Sequence, residues 1–158
     1  MSTSCGIIAW RPWRFALALC FIAVFPPAYA QYAGQRVAKP ASEIEYKQLS
    51  GDLPTAVVYG DPTKPGPFVT RLKIPSGVKV LPHWNPDQAH TVTVLSGTLY
   101  YAVGEQWDEA KFTAYPAGSF IAELPKTGHY EWAKDGEVIL QITGIGPTGA
   151  MPIKSAAR

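Results

Sequence analysis

Pro82-His83-Trp84-Asn85-Pro86-Asp87-Gln88-Ala89-His90, running directly into Thr91-Val92-Thr93-Val94-Leu95-Ser96-Gly97, decides how the rest of the chain is read. It holds two of the three histidines, and the third, His129, follows the turn Pro116-Ala117-Gly118. His83 and Asn85 are two apart, so on a strand they share a face. Pro86-Asp87-Gln88 turns the chain. His90, Val92 and Val94 then share one face of the next strand. Imidazoles therefore stand at the end of one strand, the start of the next, and the opening of a later one.

Working outward, the periodicity is that of strands. Ala56 to Tyr59 is short and apolar, and the proline-rich loop Gly60 to Pro67 follows it. Phe68, Thr70, Leu72 and Ile74 alternate with Val69, Arg71 and Lys73, which predicts a half-exposed strand. Pro75-Ser76-Gly77 turns into Val78 to Leu81. Thr91 to Val103 reads as a strand pair around Ser96-Gly97. After the polar loop Gly104 to Ala110, further strands are expected over Lys111 to Tyr115 and Ser119 to Leu124. His129 to Ala133 and Glu137 to Thr143 read as a final pair, with Asp135-Gly136 as a hairpin signal. Short strands at regular spacing, without a helical pattern, predict an all-β sandwich or barrel.

At 158 residues the chain is long enough for one core and too short for two. Its beginning reads as a cleavable signal peptide over residues 1–30. Arg11 and Arg14 precede the apolar run Phe15 to Phe25, Pro26-Pro27 breaks the run, and Ala28-Tyr29-Ala30 is a small-x-small cleavage site. The run is shorter than the roughly 20 apolar residues of a membrane span. A lipoprotein signal ending at Cys20 and a retained amphipathic anchor are the alternatives; for the first, Leu19 is large for its role and Cys20 lies inside the run. Cleavage after Ala30 would give a periplasmic or secreted protein with an extension over residues 31–54 and one domain over 55–158.

Cys5 and Cys20 both fall in the removed segment, so the mature chain has no thiolate ligand, cysteine nucleophile or disulfide. Without Arg11 and Arg14 the fourteen basic residues become twelve, equal to the twelve acidic ones. A neutral surface without a basic cluster argues against nucleic acid or anionic lipid as the partner.

Three neutral imidazoles converging in a barrel mouth suit Fe, Mn, Ni, Cu or Zn. The plainer alternative is three unrelated surface or core histidines, which is the better reading of any one of them alone. Trp84, Tyr101, Tyr130 and Trp132 are candidates for an aromatic substrate pocket; of Tyr100 and Tyr101 only one can face inward. Ordinary core or subunit-face positions explain them equally well. Gln141 joins the pocket if Leu140 and Ile142 face away from it. Glu123 is the nearest candidate general base, with a solvent-facing strand position as its alternative.

The order of these residues resembles the cupin superfamily, whose first motif runs glycine, His-x-His, an acidic ligand and a second glycine. Here Gly77 is followed after five residues by His83-Trp84-Asn85, after four more by His90, and after six more by Gly97. Gly118, Pro125 and His129 resemble the second motif, and the likeness extends over Phe68 to Gly146, with the small single-domain bacterial cupins as its nearest form. Asn85 stands where the second histidine normally sits, and His90 where the glutamate does. The resemblance implies a jelly-roll barrel, a homodimer, and one divalent transition metal held by His83, His90 and His129, with Asn85 as a weak fourth contact. Lacking the motif's carboxylate, the site is expected to give a dication no charge compensation and to suit an anionic substrate.

Three functions fit these residues: an exported metal enzyme, with dioxygenase-like chemistry on a small organic substrate; a non-catalytic small-ligand or metal-sensing module; or a degenerate barrel without metal. The fold hosts all three. The aromatic residues favour an organic ligand over metal storage.

Overall fold

The computed structural model describes residues 36–48, 53–85 and 90–154. The proposed signal segment and the turn 86–89 lie outside the described residues. Ten strands are described: β1 (Thr55–Tyr59), β2 (Gly66–Ile74), β3 (Lys79–Trp84), β4 (His90–Ser96), β5 (Thr98–Val103), β6 (Thr113–Pro116), β7 (Phe120–Glu123), β8 (His129–Trp132), β9 (Val138–Gly146) and β10 (Met151–Pro152). They form two five-stranded antiparallel sheets, in the orders β1-β2-β9-β4-β7 and β10-β3-β8-β5-β6. This is the all-β sandwich that the spacing of short strands predicts, in the jelly-roll form that the resemblance implies.

Period-two alternation builds the core. Ile74 from β2, Val92 and Val94 from β4, Leu99 and Tyr101 from β5 and Leu140 from β9 point between the sheets and are buried. Removing such a side chain from water stabilises the fold by about 1.5–3 kcal/mol each. The intervening residues of β2, Arg71 and Lys73, face out: Arg71 Nε donates to Gln141 Oε1 at 3.4 Å, and the Lys73 ammonium lies 4.4 Å from the Tyr46 ring centroid.

Two turns differ from the sequence expectation. Thr91 to Val103 is not a hairpin, because β4 pairs with β7 and β9 while β5 pairs with β6 and β8 in the other sheet. Likewise β8 and β9 lie in different sheets, so Lys134-Asp135-Gly136 carries the chain across rather than back. Local turn residues specify that the chain reverses, and the layer it enters is set by burial on the far side. The two crossings abut. Gly97 adopts φ +79°, and a β-carbon there would lie 2.3 Å from Glu137 O. Only glycine suits both the conformation and the contact.

Candidate functional site

Inner-face polar residues from both sheets converge at one end of the barrel. β3 and β8 place His83 beside His129 in register, and the alternation on β8 brings Glu131 to the same face. From the other sheet, β4 and β7 place His90 opposite Glu123. Asn85, just beyond β3, is fixed by its carbonyl, which accepts from Lys126 N–H at 2.8 Å. Asn85, His90, Glu123, His129 and Glu131 are all buried.

The histidine rings are oriented by the backbone. His83 Nδ1 lies 2.9 Å from the Leu81 carbonyl and His129 Nδ1 3.0 Å from that of Thr127, so each donates from Nδ1 and turns Nε2 to the cluster. The two rings meet edge-on with centroids 4.3 Å apart, and Tyr101 stacks on His129 at 5.5 Å. Glu123 Oε2 is the hub of the cluster. It lies 2.5 Å from His90 Nε2, 3.4 Å from His129 Nε2 and 3.4 Å from Asn85 Nδ2.

Charge and burial set the protonation. Burial, then the field of the Glu123 carboxylate, pushes Glu131 up to about 8. Burial also pushes Glu123 up, but the His90 hydrogen bond and the fields of His129, His90 and His83 outweigh it, and the net direction is downward. Burial and the neighbouring His129 lower His83. One carboxyl of the pair thus favours its anion and the other its acid.

The donor set fits a metal ion. Glu123, His129 and Glu131 offer ligand atoms that all lie within 4.8 Å of one another. His90 joins them through Glu123, and His83 through His129. Glu123 Oε1 and His90 Nδ1 are buried without a hydrogen-bond partner, a costly state that a cation or a bound ligand relieves. A backbone carbonyl on Nδ1 is the usual support for an imidazole that ligates through Nε2.

The structure brings together His83, Asn85, His90 and His129, the four positions expected from the sequence. It corrects the charge of the site. Far from lacking a carboxylate, the cluster contains two, and Glu123, for which a solvent-facing position was the alternative, is 5% exposed. Glu131 was missed. The signal for it was present, since His129-x-Glu131 on a strand must share a face, but its aromatic neighbours resemble a surface hairpin.

Most of the expected aromatic pocket is corrected. Tyr101 does face inward, against His129. Tyr130 and Trp132 alternate with the inward His129 and Glu131 and so face the other way. They pack with Trp107 and Phe112 on the outer side of the sheet, where Tyr130 Oη donates to the Asp108 carbonyl at 3.1 Å. Trp84 likewise follows His83 onto the opposite face. Gln141 is directed outward, bonded to Arg71, because its neighbour Leu140 fills the core.

What walls the cavity instead is a set of apolar side chains other than those expected. The polar cluster borders a space of about 330 Å³ whose remaining wall includes Phe68, Leu72, Val80, Val92 and Ile142, with Thr148 to Ala150 at its margin.

No protein-family model matches the chain, and no curated protein matches it. Solved structures do. The polyketide cyclase RemF from Streptomyces resistomycificus superposes with a TM-score of 0.64 at 9% identity, covering 77% of this chain and 88% of that one. A conserved Klebsiella pneumoniae protein with a double-stranded β-helix domain gives 0.53 at 18% identity, over 77% of this chain and 95% of the other. An RmlC-like cupin from Shewanella frigidimarina gives 0.51 at 13% identity, over 69% and 91%. With its two antiparallel sheets in this strand order, the chain shares the fold of these double-stranded β-helix and cupin structures.

Proposed function

We propose that this chain is an exported protein that holds one divalent transition metal at His83, His90 and His129, with Glu123 as the carboxylate beside them, and acts on a small organic substrate in the adjoining cavity. The observation that supports it best is the pair His83 and His129, each tied by Nδ1 to a backbone carbonyl and each keeping Nε2 for a ligand bond. Asn85 is an outer contact that orients Glu123 and His90. Residues 1–30 are removed on export, and the mature chain is a homodimer.

A first-row divalent ion bound there supplies Lewis-acid polarisation of a substrate oxygen and, where redox-active, oxygen-dependent chemistry of the dioxygenase kind. The chain's own residues do the rest. Glu131, raised to about 8, holds a proton at the cavity wall near neutral pH and can pass it to or take it from a substrate atom. The apolar wall excludes water and strengthens each polar contact. A non-catalytic ligand-binding or sensing module is the second reading. The His90–Glu123 pair favours it, since each of those groups already has the other as a partner.

The deciding experiment is elemental analysis of the mature chain, purified without chelator or affinity-tag histidines. About one equivalent of iron, copper, nickel or manganese is expected for a single site of this type, with oxygen uptake screened on the loaded protein. No uptake of any of these ions, or of zinc, after each is added would sink the metal reading.

A further inference from the structure

We infer that the ligand of this cavity is an uncharged, largely apolar small molecule bearing a hydroxyl group, such as a substituted phenol, and not a carboxylate, a phosphate or a sugar. The inference rests on the proposal that this cavity is the functional site.

The first argument is charge. Among the described residues that line the cavity there is no lysine or arginine, while two carboxyl groups, Glu123 and Glu131, border it. The basic residues of the walling strands are turned outward. Arg71 bonds to Gln141, Lys73 lies over the Tyr46 ring, and the Lys79 ammonium lies 2.9 Å from Glu109 Oε1. An anionic ligand would meet like charge without a countercharge, in a setting where screening is weak. The argument applies to the metal-free protein, since a seated dication would outweigh the Glu123 carboxylate.

Polarity is the second argument. Phe68, Leu72, Val80, Val92 and Ile142 form the apolar part of the wall, beside the polar cluster. A sugar ring, with hydroxyls around its whole rim, would set those on its far side against these side chains without partners, each at the cost of an unmade hydrogen bond. One hydroxyl is catered for, since buried Glu123 Oε1 is an acceptor without a donor.

Size is the third. An apolar cavity of about 150 Å³ takes up benzene. The space here, about 330 Å³, suits a single substituted ring or a compact bicycle.

The test is calorimetric titration of the full mature chain, with and without added metal, using para-ethylphenol, para-hydroxyphenylacetate and glucuronate as probes. Metal content is read on the same samples. In the metal-free protein para-ethylphenol is expected to bind at least about tenfold tighter than its carboxylate analogue, the equivalent of one uncompensated charge contact, and glucuronate is expected not to bind. Ile142→Trp, which fills the cavity, should abolish binding while circular dichroism shows the fold kept. Glu123→Gln should weaken the phenol in the metal-free protein. Equal or tighter binding of either carboxylate in the metal-free samples overturns the inference, as does failure of the phenol to bind or binding that Ile142→Trp leaves intact. Phenol binding in a protein that takes up no metal would sink the metal reading alone; metal uptake together with a carboxylate preference in the metal-free samples would sink this inference alone.

Discussion

His90 Nε2 lies 2.5 Å from Glu123 Oε2, on neighbouring strands β4 and β7 that bring the two residues into direct register. Both side chains are buried, so the contact is a charge-assisted one in a poorly screened place. It makes Glu123 the element that joins the two halves of the cluster, since the same oxygen lies 3.4 Å from His129 Nε2. Glu123→Gln keeps the shape and removes the charge. We expect metal affinity to fall about 10–100-fold, the loss typical when a ligand or its supporting partner is altered. Calorimetric metal titration checks this, and unchanged affinity would place the ion elsewhere.

His83→Ala, His90→Ala and His129→Ala should each release the metal, whereas Asn85→Ala should weaken it less. Asn85 offers only a neutral amide, 3.3 Å from His90 Nε2 and 3.4 Å from Glu123 Oε2. Bound metal per protein, measured after exhaustive dialysis, distinguishes the four. Full metal content in all of them would remove the three-histidine site.

How much of this was legible follows from what each signal depends on. The strands were readable because alternation and turn residues are local, and so were the histidines, as rare residues at strand ends. The pairing of β4 away from β5 was not, since Gly97 marks a change of direction whether the chain folds back or crosses to the other layer. Glu123 was ambiguous because a strand position alone does not say which face is buried; the contact with His90, thirty-three residues away, settles it. Trp132 and Tyr130 misled for a related reason. They sit beside His129 in sequence and on the opposite face in space.

That opposite face yields a control. Trp132 packs against Trp107 and Phe112, with the Lys79 ammonium 4.5 Å from its ring centroid. Trp132→Ala should lower stability by about 1–3 kcal/mol through lost packing. Metal affinity should not change. Denaturant unfolding and metal titration of the same variant check both halves, and a loss of metal binding in a folded protein would tie the outer cluster to the site.

Glu131 makes stability depend on pH in a defined direction. Its folded pKa, about 8, stands above the ordinary 4.5, so the folded state holds the proton more tightly than the unfolded chain does. The contribution is therefore whole below about pH 4.5 and declines as pH rises towards 8. Glu131→Gln cannot lose a proton and should flatten this slope. In the metal-free protein the variant's melting temperature should match the wild type near pH 5 and exceed it near pH 8.5. A parallel pair of curves would show that Glu131 is ionised throughout.

Gly144 gives the sharpest test of how tightly the site is built. It lies on β9 opposite Phe68, and a β-carbon there would come within 2.8 Å of His90 Cβ and 3.1 Å of two Phe68 ring atoms. Neither neighbour can yield freely, because His90 is held by Glu123 and Phe68 is almost wholly buried. Gly144→Ala should cost about 1–3 kcal/mol, as overpacking does in close-packed interiors. Displacement of His90 should also lower metal affinity. Gly149→Ala is the matching control: it too borders the cavity, but its β-carbon meets nothing within 4 Å. The change there should stay within about 0.5 kcal/mol. If the two variants behaved alike in unfolding and metal titration, the close contact between β9 and His90 would not be what positions the imidazole.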